Sequence, residues 1–237
     1  MDDLKQWLVG SSHATIFWKW YLLRSESKKY FDPECPLADY LVPCLENKQR
    51  IRICDIGAGA IPMIGYKYQD RQIEIVASDF HSERFNALLD LYRLNPPVRV
   101  EYQDATQLTY ESNSFDIVHA SNSLDHFLEP RKAILEMYRV CKAGGWIVLR
   151  HGIREGQRMQ YRGMHIWNIE SVGMDCKFWN RNGEEFMLSG IHPDFMSFVQ
   201  IKMDHRRAHP GLILSKMKKP ESNWAEQGLQ ALKDAGR

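Results

Sequence analysis

Between Ile51 and His151, short apolar runs alternate with stretches of helical spacing, and no other feature restricts the fold of this chain as strongly. The runs are Ile51 to Ile56, Ile73 to Asp79, Val98 to Gln103, Phe115 to Ala120 and Trp146 to His151. Strands separated by helix-length segments build a parallel sheet wound with helices, so the expected fold class is α/β. Ile61 to Tyr68 and Ser82 to Leu94 supply the first two crossovers, and Asn95-Pro96-Pro97 stops the second. Pro130 to Cys141 carries Ile134, Leu135, Met137, Tyr138 and Cys141 as one apolar stripe, with Gly144-Gly145 as its exit.

The flanks read differently. Segment 4 to 46 has helical spacing rich in aromatics (Trp7, Phe17, Trp18, Trp20, Tyr21), turns at Asp32-Pro33 and runs on as a second helix from Pro36 to Leu45. It predicts a helical cap over residues 1–48, which either closes over a ligand or packs as core. After the fifth strand, Met164 to Ile169, Cys176 to Trp179 and Glu184 to Leu188, with Asn182-Gly183 as a turn, predict a small β insert at about 160–190. Phe198 to Met203 and Leu212 to Met217 flank His209-Pro210-Gly211 and predict an antiparallel pair closing the sheet, so that the main domain covers 49–217. Residues 218–237 form a polar tail.

With 237 residues the chain suits one domain with embellishments, and 31 basic against 30 acidic side chains argue against nucleic acid as partner. Arg150, Arg154, Arg158 and Arg162, and again Lys202, Arg206 and Arg207, gather basic charge that reads as a solvated face rather than an anion site. The five cysteines are odd in number, widely spaced and without a C-x-x-C pair, hence reduced structural thiols. The acidic Asp2-Asp3 start and the interruption of Ile16 to Leu23 by Lys19 leave no expected leader or membrane span, which points to the cytoplasm.

Four features fall at carboxyl ends of successive expected strands, where open α/β sheets bind ligands. Ile51 to Ile56 runs into Asp55-x-Gly57-x-Gly59, where glycines let the backbone turn sharply and approach a cofactor, with Ala58 between them. Asp79 closes the second strand, followed by Phe80, and an acid here can accept hydrogen bonds from two ribose hydroxyls. That placement serves the adenosine of a nicotinamide cofactor or of S-adenosylmethionine (SAM) alike. Asp104-Ala105 follows the third strand, and Ser121-Asn122-Ser123-Leu124-Asp125-His126 follows the fourth. In a dinucleotide fold a third glycine would fall at position 62, which is Pro62 here.

Together, Asp55-x-Gly57-x-Gly59, Asp79, Gln103-Asp104-Ala105 and the Phe115 to His126 stretch resemble the successive motifs of class I SAM-dependent methyltransferases. Arg139 to Gly145 is similar to that family's turn before strand five, with Ala143 in place of the usual proline. The resemblance covers roughly residues 50 to 217. It implies a Rossmann-like, doubly wound sheet of seven strands with the last reversed, and SAM as cofactor, leaving S-adenosylhomocysteine. It further implies Gly57, Ala58 and Gly59 beside the methionine moiety, Asp79 with Phe80 at the ribose, Asp104 and Ala105 at adenine, and Ser121 and Asn122 lining the pocket. Asp55 either holds the turn or a water near the amino group.

Transfer of a sulfonium methyl needs alignment and, for a hydroxyl acceptor, a base. Asp125, His126 and His151 are the candidates by position, with His126 read more readily as a helix-start residue contacting cofactor or backbone. His165, His192, His205 and His209 with Asp175, Asp194 and Asp204 match no metal-ligand spacing, so no metal is expected and surface loops account for them. The insert points to a small-molecule acceptor, a sugar or glycan hydroxyl among the expectations. A nicotinamide-dependent oxidoreductase and a non-catalytic SAM-binding module are the competing readings.

Overall fold

The computed structural model describes residues 3–191, 197–204 and 209–221. A sheet of seven strands among these residues has the order β3-β2-β1-β4-β5-β10-β9. Its members are β1 (Arg50–Ile56), β2 (Gln72–Asp79), β3 (Glu101–Tyr102), β4 (Phe115–Ser121), β5 (Cys141–Gly152), β9 (Ser197–Asp204) and β10 (His209–Lys218). The first five run parallel, whereas β10 is antiparallel to both β5 and β9. Strand order reverses between β1 and β4, and a crevice at such a reversal, at the strands' carboxyl ends, is where ligands bind. A second sheet, β6 (Trp167–Val172), β7 (Asp175–Asn180) and β8 (Glu185–Met187), forms the antiparallel meander after β5.

Both sheet faces are covered, as near-continuous apolar strands require. On one face Ile51, Ile53, Ile75, Ile117, Val148 and Leu214 meet Leu37, Leu41, Cys44 and Leu45 from the N-terminal region. On the other, Cys54, Ile56, Val118, Ile147, Leu149 and Met217 meet Ala133, Ile134 and Met137 of helix α3 (Pro130–Val140) together with Trp167, Ile169 and Phe178 of the meander. The five cysteines are buried and unpaired, and no helix among the described residues is long and apolar enough to cross a membrane.

The largest departure from the sequence-based expectation lies between β1 and β2. Residues 61–68 form turns rather than a helix. Pro62 and Gly65 explain this: Gly65 has φ +73°, and a Cβ there would lie 1.9 Å from the Pro36 carbonyl oxygen. Pro36 instead bridges to Lys67 in parallel fashion. The N-terminal region fills the vacated layer. Helix α1 (Asp3–Leu22) sends Trp18 and Leu22 onto Ala60, Ile61 and onto Phe85 and Leu89 of helix α2 (Ser82–Leu91).

Smaller corrections follow the same logic. The expected helix from Pro36 to Leu45 is a bridge plus a short 3-10 turn over Val42–Leu45, with Pro43 as its second residue. The third strand shrinks to Glu101–Tyr102 while Val98 and Val100 pack on Ala58 and Ala77. Strand β5 starts at Cys141, directly after α3, rather than at Trp146. Of the expected polar tail, residues 222–237 lie outside the described residues.

Candidate active site

The turn after β1 is a bare stretch of backbone. Gly57 and Gly59 have φ of +68° and +72°, a region that costs any other L-residue energy. A Cβ on Gly57 would come within 2.5 Å of the Ser123 Cβ, and one on Gly59 within 2.0 Å of Trp18 Cζ2. The strand end is therefore hemmed by the segment after β4 on one side and by α1 on the other, and only glycine allows both approaches.

Asp79, at the end of β2, folds back on this turn. Its Oδ2 accepts the Gly59 N–H at 3.0 Å and its Oδ1 accepts the His81 N–H at 2.8 Å. Burial nonetheless pushes its carboxyl up to about 6, with Asp55 adding to the rise. Phe80, His81 and Tyr102 line a cavity of about 330 Å³ with Glu83 and Arg84, and Trp7 of α1 meets the Phe80 ring edge-on at 5.2 Å. Asp104 is half-buried and its Oδ1 takes both the N–H and the hydroxyl of Thr106, at 2.8 Å each, with Ala105 packed against the main core.

Asp55 points elsewhere. Its Oδ1 lies 2.7 Å from Nδ1 of the buried His119 in β4, whose Nε2 meets the Tyr40 hydroxyl at 3.1 Å. That pairing ties β1 to β4 and to the N-terminal region. Ser121 Oγ accepts from Arg150 at 3.2 Å, and Asn122, at φ +48°, accepts the Gly152 N–H at 3.0 Å. Both hold the ends of β4 and β5 together.

Beyond Asn122 a 3-10 turn, Leu124–His126, gathers the polar groups of the site. Asp125 is 2% exposed. Its Oδ2 lies 2.7 Å from His165 Nδ1 and 3.4 Å from His126 Nε2, and the two imidazole nitrogens are 3.1 Å apart. Burial alone would raise the Asp125 carboxyl, but the imidazoles of His126 and His165 bring it down to about 2. Desolvation lowers His126 in turn. His151, the second-last residue of strand β5, is buried without a hydrogen-bond partner at either ring nitrogen, and burial takes it down to about 3, which keeps the imidazole neutral. Helix α1 clamps this group from outside: the Trp7 indole donates to the His126 carbonyl at 2.9 Å and Gln6 to the His165 carbonyl at 3.4 Å.

His165 thus corrects the expectation of a surface loop: it is half-buried and joins Asp125 and His126 rather than a site within the insert. Asp175 instead accepts hydrogen bonds from Cys176 and Ser189. His192, Asp194, His205, Arg206 and Arg207 lie outside the described residues, as do the side chains of Lys202, Asp204 and His209. Arg154, Arg158 and Arg162 are exposed, in keeping with a solvated face, with Arg154 paired to Glu170 and Arg158 to Glu155. Sequence reasoning took Trp18 only as one aromatic of the cap and passed over Tyr40 and His119. For His119 there was a signal, a polar residue amid an apolar strand.

These residues fit SAM. A desolvated carboxylate that two hydroxyls would stabilise stands at the end of β2, aromatic rings border the adjoining cavity, and beside them the glycine turn lies close against Ser123 and Trp18.

Comparison with known proteins agrees. Residues 54–149 match the model of a methyltransferase domain. The demethylmenaquinone methyltransferase of Paenarthrobacter aurescens is 34% identical over 109 residues, covering 46% of this chain and 42% of that protein. Its counterpart from Renibacterium salmoninarum is 37% identical over 98 residues, 41% of this chain and 40% of the relative. The matched part of the chain thus spans about two fifths of these relatives' length. A SAM-dependent methyltransferase from Methanosarcina mazei superposes with a TM-score of 0.51 at 15% identity, over 78% of this chain and 100% of the other, a likeness of fold.

Proposed function

We propose that this chain, which carries a class I SAM-dependent methyltransferase domain, transfers the sulfonium methyl of SAM to a small molecule seated against Asp125, His126 and His165. The observation that carries this reading is Asp79 at the end of β2, a half-buried carboxylate that accepts the Gly59 N–H of the glycine turn. When bound, SAM supplies a methyl group on an already activated leaving group. The chain's own residues then have three tasks: hold the donor, align the acceptor and absorb the charge that develops on it.

Asp79 would bind the ribose hydroxyls, Gly57, Ala58 and Gly59 would admit the methionine moiety, and Phe80 with Asp104 and Ala105 would border adenine. Helix α1, touching Phe80, Gly59 and the carbonyls of His126 and His165, would keep water out. An acceptor hydroxyl gives up its proton as the new bond to carbon forms, and Asp125, His126 and His165 are the groups placed to favour that loss. His151, held neutral by its burial and without a hydrogen-bond partner, would present its ring nitrogens to the acceptor as hydrogen-bonding groups rather than take up its proton. The meander beyond β5, outside the stretch shared with the family, would shape acceptor choice. Demethylmenaquinone, the compound in the relatives' names, is the first acceptor to screen, with hydroxylated sugars beside it.

Calorimetric titration tests the reading. We expect micromolar SAM binding, lost by at least tenfold in Asp79→Ala, and no binding of NADH. Binding of NADH without SAM would overturn it.

A further inference from the structure

We propose that Asp125, His126 and His165 form a binding site for one first-row divalent transition-metal ion. Oδ2 of Asp125, Nε2 of His126 and Nδ1 of His165 stand 2.7, 3.1 and 3.4 Å from one another. Ligand atoms bonded at about 2.0–2.2 Å to one ion, at tetrahedral or octahedral angles, lie about 3.0–3.5 Å apart. The three atoms therefore sit close to the corners of one face of a coordination polyhedron, and they come together from two segments 39 and 40 residues apart.

Hydrogen bonding alone serves these atoms poorly. His165 Nδ1 carries at most one hydrogen, which can point to Asp125 or to His126 but not to both. If it points to Asp125, the His126 nitrogen faces an N–H already engaged, or sets its own hydrogen against it. A cation at the centre would take one lone pair from each atom and remove the conflict.

Two further observations favour a ligand here. His151, 2% exposed, has no partner at either nitrogen and stands in the field of Asp125, so the site carries a second buried polar group awaiting one. The two imidazoles are also open on one side, His126 at 26% and His165 at 23% exposed, while Asp125 at 3% closes the site from within. Three protein ligands with open positions are the arrangement of a catalytic rather than a structural ion. Two imidazoles and one carboxylate suit Fe²⁺, Mn²⁺, Co²⁺ or Zn²⁺ better than Mg²⁺, which prefers oxygen.

The cation's role, though not its binding, rests on the methyl-transfer reading. An acceptor hydroxyl on an open position would lose its proton to water nearer neutrality. Its oxygen would then form the bond to the methyl carbon, while the carbon–sulfur bond breaks and leaves its electron pair on sulfur.

Cobalt is the probe. Full-length chain stripped with EDTA is titrated with Co²⁺, and visible absorption is followed together with SAM calorimetry. We expect one Co²⁺ per chain with visible d–d bands and no thiolate charge-transfer band, since the cysteines are buried elsewhere. Affinity should fall at least tenfold in His165→Ala and in Asp125→Asn, with circular dichroism unchanged. Should His165→Ala unfold, His126→Gln gives the same readout. Absence of these bands, or equal Co²⁺ affinity in folded variants, overturns the metal site. SAM binding reports separately on the methyltransferase reading.

Discussion

Asp79 is the residue whose chemistry makes a prediction with a sign. A carboxylate, not a carboxylic acid, accepts hydrogen bonds from ribose hydroxyls, and burial raises this carboxyl to about 6 from an ordinary 3.8. Below pH 6 the empty protein therefore holds a proton that SAM must displace. Affinity for SAM should be level above pH 7 and fall as the pH drops through 6, approaching about tenfold per unit. Asp79→Asn should bind more weakly, with a flat profile, and calorimetry between pH 5 and 8 checks both. Stability runs the other way: the folded chain holds this proton more tightly than the unfolded one, so the group's contribution declines as pH rises from about 4 to 6. At this scale the sequence was legible where spacing along the chain sets the position. Gly57, Gly59 and Asp79 follow from strand ends and a turn, whereas His165 meets His126 across 39 residues, after a helix, a strand and the turns beyond it, a return path no local pattern encodes.

Among the elements, α1 and the turn after β1 form a coupled pair. Trp18 is 7% exposed and rests on Gly59, so Trp18→Ala should cost about 3–5 kcal/mol. Gly59→Ala would add the left-handed backbone penalty of about 1–2 kcal/mol and push the indole away. The two should not add: with Trp18 already gone, Gly59→Ala loses its steric part. Urea titration of the two single variants and the double variant measures this, and limited proteolysis should cut α1 faster in both singles. The alternation of strands and helices was readable because apolar runs and helical stripes have different periods. The missing crossover at Ile61 to Tyr68 was not, because the need for glycine at Gly65 arises only when Pro36 lies against it. A local pattern cannot say which distant segment will take a helix's place.

As a whole molecule, the chain shares one core between its main sheet and its meander. Ile166, Trp167, Ile169, Cys176 and Phe178 lie in the same cluster as Val118, Ile134, Met137 and Leu149. Phe178 is 1% exposed and stacks on Phe186 at 4.7 Å. Phe178→Ala should therefore lower the melting temperature of the entire chain, by about 3–5 kcal/mol of stability, with far-ultraviolet dichroism and tryptophan fluorescence moving together. Two separated transitions would show that the meander melts alone. The placement of α1 also bears on how the protein is made. Trp18 leaves the ribosome before Gly59, Phe85 and Leu89, the surfaces that bury it, and at about 5–20 residues per second that interval lasts several seconds. During synthesis the aromatic face of the first helix is a naked apolar strip, and its shelter is the very ledge where the cofactor would bind.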